Sequence, residues 1–383
     1  MPAPAVNLLL DDTRIDASVR RAVRQAMSMA EVRETDADPT LLTIRLKLSQ
    51  RPDGTWFPID QDVFVPASRL RLEIVAPGGR PVRLFDGRIT HVRPHFETIE
   101  ANCYLEVIAQ DIGGWMNVGD RAASFPDLSD AAAVVAVLDE WGITDVMAPS
   151  PSLDNPERHT LLIQRESDWM FLQRLAARNG FRCWLEPNGE SVRAWFGPPD
   201  LSEPQPDLII LQDGANLKWL DLQYTAARTI RHAGQQLDPL EKRVLMAEAD
   251  GLLASADGTE LVSEIAKSLA EEGLPEPEGW LPTGPARSAA MEGRSRAAND
   301  ADRFALEARG EIDTALYRGL LRARRTVLIR GVGSRHSGRW YVRAVRTAFQ
   351  EGVLTQTFLA ERLDIDLSGR EDFGASAEEE GPR

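Results

Sequence analysis

Residues 166–181, ESDWMFLQRLAARNGF, decide how this 383-residue chain is read. Ser167 is placed to cap a helix N-terminus through its hydroxyl, Asp168 suits the positive end of the helix, and Asn179-Gly180 supplies a left-handed stop. Between these marks Trp169, Leu172 and Ala176 fall on one stripe, with Phe171 and Leu175 beside it. So much aromatic surface on a short helix makes either a sugar-type binding face or a foundation. An amphipathic helix ordinarily buries such residues in its own domain. The expectation is therefore that Trp169 and Leu172 are buried against the segment 181–196, which reads as a β-hairpin: FRCWLE, the turn PNGE, then SVRAWFG.

Upstream, DLSDAAAVVAVLDEWGI has Ser129 as a cap, an alanine-valine-leucine body and Gly142 as a stop, which predicts a second helix. A Pro/Ser/Asn-rich loop and the apolar run TLLI lead from it into the opening motif, so residues 121–205 read as an α+β unit. Residues 1–120 read as mostly β. Leu42, Ile44, Leu46 and Leu48 alternate with Thr43, Arg45, Lys47 and Ser49. Leu70, Leu72 and Ile74 repeat the pattern, as do Cys103, Leu105, Val107 and Ala109, and Gly87 fits a bulge or bend. DASVRRAVRQAMSMAEVRET admits two readings, a helix or strands carrying the chain into Val32.

Strand character returns beyond the linker-like PPDLSEPQPD, in a second β unit spanning 206–368. An Ala/Glu/Arg-rich stretch interrupts it at about 240–315, where ELVSEIAKSLAEEG and AANDADRFALEARG predict helices. TVLIRGV, GRWYVRAVRTAF and VLTQTFLAERL then predict strands. The tail 369–383 is acidic, rich in small residues, and expected to be disordered. The fold class expected is mainly β with α+β: two β-barrels flanking an α+β domain, the second barrel carrying a helical insertion.

The formal charge is −15, from 44 basic and 59 acidic residues, which disfavours nucleic acid and anionic lipid as partners and points to proteins. No apolar run approaches the roughly 20 residues of a membrane helix, and the N-terminus lacks a signal-peptide pattern, so synthesis and folding in the cytoplasm are expected. Cys103 and Cys183 sit in apolar strand-like runs and read as buried free thiols.

Chemistry-bearing patterns are sparse. GVGSRHSG, residues 331–338, lies between two strands rather than between a strand and a helix, so it reads as a hairpin loop and not a phosphate cradle. His91 and His95 stand four apart in extended structure with Pro94 between them, a poor arrangement for converging on a metal. No HExxH, CxxC pair or GxSxG occurs. Carboxylates are plentiful, which leaves a glycosidase-type pair open. Accordingly no catalytic, cofactor or metal residue is predicted.

The opening motif resembles the phage late control protein D family, the baseplate hubs of contractile tails and the hub portion of VgrG-type spike proteins. Glu166, Ser167, Asp168, Trp169, Phe171, Leu172, Leu175, Ala176, Asn179, Gly180 and Phe181 carry the match. LFDGRITHV with Gly87, followed by YLEVIAQD, is similar to the family's first-barrel strands, and SGRWYVRAVRTAFQEGVLTQTFLAER, with Gly338 and Trp340, to its closing hairpin. Together these cover most of residues 30–365.

The resemblance implies a non-enzymatic homotrimer in which six similar barrels adapt a sixfold inner tube to a threefold spike. It implies the tube protein, the spike protein and other baseplate proteins as partners, within a phage tail or injection particle. VgrG-type chains continue into glycine-bearing β-helical repeats, whereas this sequence ends in an acidic tail, so the spike is expected to be a separate polypeptide. A tail-associated cell-wall-degrading enzyme and a carbohydrate-binding β protein are the alternatives. Exposed arginines on the strands' polar faces are candidates for contacts between subunits or with tube and spike.

Overall fold

In a computed structural model the structure describes residues 5–10, 16–75, 80–154, 162–202, 204–211, 213–226, 231–237, 242–248, 261–281, 293–295, 297–298, 304 and 306–362. The acidic tail and much of the 240–315 insertion lie outside the described residues.

A 12-stranded sheet dominates the molecule. Its first lobe runs β1 (Ala5–Leu10), β6 (Arg69–Val75), β7 (Pro81–His95), β8 (Tyr104–Gln110), β3 (Leu41–Lys47), β2 (Met27–Thr35). β4 (Ser49–Gln50) and β5 (Trp56–Phe57) form a small ribbon beside it. The alternation that makes these segments strands also fixes their inner face. Leu42, Ile44, Leu46, Leu70, Leu72, Ile74, Leu105, Val107 and Ala109 are all buried in one apolar cluster. The ambiguous segment before Val32 is both things in turn, α1 (Ala17–Ala26) capped by Asp16 and then β2.

The second lobe repeats the plan: β14 (Pro204–Ile209), β20 (Arg325–Arg330), β21 (Gly338–Gln350), β22 (Val353–Arg362), β19 (Leu306–Ile312), β15 (Leu217–Tyr224). The two lobes match strand for strand, and two of their irregularities coincide in each. The β7–β8 pairing skips Thr90, and β21–β22 skips Arg343. β2–β3 skips Ser28, and β15–β19 skips Lys218. Non-glycine residues with positive φ, Ala67 and Arg324, precede β6 and β20, and their N–H groups bond to Ile89 O and Val342 O. One difference is that β1 runs antiparallel to β6 while β14 runs parallel to β20.

Between the lobes lies an α+β layer with its own apolar cluster. It comprises α2 (Ile112–Met116), β9 (Asp120–Phe125), α3 (Asp130–Glu140), β10 (Asp145–Met147), β11 (Leu162–Ser167), α4 (Asp168–Asn179) and the hairpin β12 (Arg182–Asn188) and β13 (Ser191–Gly197). The insertion carries the expected helix, α5 (Leu261–Glu271), together with a small sheet of β16 (Arg231–Leu237), β17 (Val244–Glu248) and β18 (Glu278–Trp280).

Two expectations are corrected. The last part of AANDADRFALEARG, for which a helix is predicted, is instead β19 from Leu306 on, whose buried residues alternate with half-buried or exposed ones between β15 and β22. Tertiary pairing overrides the helix propensity of Leu, Glu, Ala and Arg there. Gly87 is not itself a bulge, because the register shifts of β7 fall on either side of it. A Cβ at Gly87 would stand 2.1 Å from Gln110 O, so glycine there permits close approach of two backbones.

Candidate assembly surface

The motif helix α4 is held at every marked position by this chain's own groups. Ser167 Oγ accepts from Met170 N–H at 3.2 Å and donates to Asn117 Oδ1 at 2.6 Å, while Gly180 takes φ 70° at the C-terminus. Asp168 accepts from Trp141 Nε1 at 2.9 Å and Gln164 Nε2 at 2.7 Å, and Glu166 accepts from Arg174 Nε at 2.6 Å. Asn179 Nδ2 donates to Asp130 and to Leu175 O, and its Oδ1 accepts from Leu153 N–H. Phe171 stacks on Phe125 at 5.1 Å, Phe181 meets Phe196 edge-on at 5.3 Å, and Leu172, Leu175 and Ala176 are buried.

Trp169 is buried, and the edge of its ring lies against Gly113 of α2, a neighbour the hairpin expectation did not include. Trp340 is fully buried and donates from Nε1 to His336 O at 3.2 Å. Gly338, at φ 145°, leaves room for the Arg362 guanidinium, which donates to Ser337 O at 2.6 Å. Most motif side chains thus face inward, and Glu166 is half-buried. Cys103 and Cys183 are buried free thiols, and burial pushes Cys183 up to about 12, far from the thiolate that nucleophilic chemistry needs. His91 and His95 are exposed and separately engaged, with Thr90 Oγ1 and Glu97 respectively. Among the described residues no three His, Cys, Asp or Glu side chains are grouped to hold a metal ion. Among them, too, no helix is long and apolar enough to cross a membrane.

Arginines unremarked in the sequence stitch the three layers. Arg324 donates to Thr35 O at 2.8 Å in the first lobe and to Leu185 O at 2.6 Å in the middle layer, and its guanidinium lies 5.0 Å from the Trp184 ring centre. Buried Arg322 donates to Glu34, and buried Asp36 accepts from Arg182 and Arg343. Along the same seam β2 pairs antiparallel with β21, from Met29 opposite Gln350 to Thr35 opposite Ala344. Burial pushes the Glu31 carboxyl upward, but the Arg346 and Arg33 guanidinia beside it outweigh that and hold it below the usual carboxylate range. The only sequence signal for this seam is the arginine run in LRARR, whose partners are remote in the chain. Several of the strand arginines proposed for contacts outside the subunit are already engaged within it, Arg45 with Glu106 and Arg343 with Glu361 among them.

Apolar side chains remain on the outside. Trp219, Tyr224, Phe96 and Ile99 are exposed, and an apolar hollow of about 470 Å³ runs from Trp219 across Val345 and Phe358 to Thr35 at the seam. Exposed apolar side chains beside a strand edge are candidates for contacts in an assembly.

This fold is shared with phage tail proteins of known structure. The chain belongs to the family described as Alg8 N-terminal domain, which it matches over residues 44–351. Solved structures agree in fold. A tail protein from Neisseria meningitidis superposes with a TM-score of 0.64 at 13% identity, covering 95% of this chain and 98% of that one. The 43 kDa tail protein of prophage MuSo2 from Shewanella oneidensis gives 0.59 at 11% identity, covering 88% and 95%. The E. coli c3393 protein, a component of the type VI secretion system, gives 0.52 at 12% identity, covering 92% and 76%. No curated protein sequence matches the chain.

Proposed function

We propose that this protein is the structural hub of a phage tail or of a phage-tail-like contractile injection particle, a homotrimer that joins a sixfold inner tube to a threefold spike. The observation that carries the reading is the internal repeat. One chain holds two lobes with the same strand order and two bulges in common, so three chains present six similar lobes to a tube while keeping a threefold axis for a spike. The fold shared with tail proteins supports the same reading. In it, residues 1–120 and 206–368 are the two tube-type domains and 121–205 the domain between them, tied to both by Arg324. The motif residues act as foundation and not as a binding site.

Its work is mechanical and positional, without catalysis, and its partners are a separate spike protein, the tube protein and further baseplate proteins. Electron microscopy of the full chain mixed with the spike and tube proteins of its own particle tests this. Three copies around one spike are expected, with obligate interfaces of more than about 2,000 Å². A stable dimer or a lone chain under those conditions overturns the reading. Release of fragments from peptidoglycan by the purified chain, abolished by one carboxylate substitution, would replace it with the enzymatic alternative.

A further inference from the structure

One junction between two lobes is already made inside the chain, where β2 lies on the second half of β21. Aligning the bulges at Ser28 and Lys218 makes β15 the counterpart of β2, with Asp221 in the place of Glu31 and Tyr224 in that of Glu34. Aligning those at Thr90 and Arg343 makes β7 the counterpart of β21, with Arg93 in the place of Arg346 and Phe96 in that of Phe349.

Among the described residues both counterparts lack the strand that the seam supplies: there the sheet ends at β15, and His91–His95 of β7 pair with β8 alone. Exposure follows this difference: Glu34 is 2% exposed against 48% for Tyr224, and Phe96, 52% exposed, stands where Phe349 is only half-exposed under β2.

We propose that β15 of one copy adds antiparallel to the open edge of β7 in a second copy of this chain, in the register of the internal seam, with Asp221 opposite His95 and Leu220 opposite Phe96. The inference rests on the hub reading and specifies how its copies meet.

The side chains fit that register. Inside the chain Glu31 pairs diagonally with Arg346. Across copies the same diagonal joins Asp221 to Arg93, whose side chain is 59% exposed and 3.7 Å from its present partner Glu106. The buried Glu34–Arg322 pair has an apolar replacement on both sides. Tyr224 takes the place of Glu34, and Val65, two residues before Ala67 as Arg322 is before Arg324, takes the place of the arginine. Val65 is itself among the exposed apolar side chains. One cost is visible. Asp36 N–H bonds to Arg343 O, so alternation turns Thr347 toward β2, and its counterpart Pro94 has no N–H to give. The ladder between copies is one bond short there, and a proline on an open edge also blocks indiscriminate strand addition.

The test is a cysteine pair in the full chain. By the same alternation Asp221 and His95 form a non-hydrogen-bonded pair, whose Cα atoms lie about 4.5 Å apart in antiparallel sheet, within disulfide reach. The D221C/H95C variant, assembled at high concentration and oxidised, is expected to yield disulfide-linked oligomers in most chains. The offset variant D221C/R93C should stay mostly unlinked, and light scattering before oxidation reports the copy number. Oligomers that link equally in both variants, or in neither, overturn the register and leave the hub reading standing. A chain that stays single at every concentration overturns the strand addition, and the hub reading is then judged by the images with spike and tube.

Discussion

Arg322 donates from Nε to Glu34 Oε1 at 2.8 Å, with both side chains buried and the two residues 288 positions apart in sequence. The pair closes the chain on itself, tying β2 to the segment that enters β20. Neither charge has bulk water to fall back on. Removing one partner of a buried pair leaves the other uncompensated, at a cost of about 3–5 kcal/mol.

Glu34→Ala and Arg322→Ala are each expected to lower unfolding free energy by that order, measured by denaturant titration. The double replacement Glu34→Leu/Arg322→Met should recover most of the loss, since an apolar pair of similar volume often stabilises as well as the ion pair it replaces. A double variant as unstable as the sum of the singles would show that the pair has a role beyond its charge.

Gly113 and Trp169 form the second coupling. A Cβ on Gly113 would come 2.8 Å from the Trp169 ring, too close for any side chain. Gly113→Ala is expected to cost about 1–3 kcal/mol through overpacking, and Trp169→Ala about 3–5 kcal/mol through the cavity it leaves. In the double variant the new methyl enters the space the ring vacates, so the combined loss should fall short of the sum. Thermal melts of the three variants check this, and additive losses would mean the two residues do not share one site.

The Asp111 carboxyl is pushed up to about 6 by burial, against the opposing pull of Thr40 N–H and the Arg324 charge. Unfolded, it titrates near about 3.9. Between those values the folded chain binds more protons, so this group's contribution to stability is greatest in acid and is lost as pH rises from about 4 to about 6. Asp111→Asn cannot ionise. Its stability relative to the parent should therefore improve by up to ~3 kcal/mol between pH 4 and pH 7. Measuring the difference cancels carboxylates such as Glu31, whose lowered value makes stability fall with acid instead. A difference independent of pH would place the Asp111 titration outside that window.

What the sequence disclosed and what it hid follow one physical rule. Leu42 to Leu48 were legible because period-two alternation is local, and all four apolar residues are buried. Ser167 and Gly180 were legible because caps act within a turn of their helix. β19 was hidden because LEARGEI prefers helix locally and becomes a strand through partners at 217–224 and 353–362. The seam residues were hidden for the same reason: Glu34, Asp36 and Arg324 gain their roles from groups more than a hundred residues away. Composition in the insertion signals helix, and it does not report the small β16–β17–β18 sheet that the same stretch forms.

Arg324 yields the last prediction. Its backbone sits at φ 71°, which favours glycine, so holding an arginine there costs about 1 kcal/mol or more. The return is a fork that reaches Thr35 O, Leu185 O and Thr40 Oγ1 from three different nitrogens and joins both lobes to the middle layer. A lysine ammonium is a point charge and cannot span three acceptors spread over the first lobe and the middle layer. Arg324→Lys should leave a buried carbonyl without a donor and lower stability by about 1–3 kcal/mol. Arg324→Gly separates the two effects, because it relieves the backbone while removing every bond. It should nevertheless be the less stable of the two, with the layers coming apart first and denaturant unfolding splitting into two steps. If Arg324→Gly instead equals or exceeds the parent in stability, the strained backbone outweighs the fork, and the layers are held together by the β2–β21 seam alone.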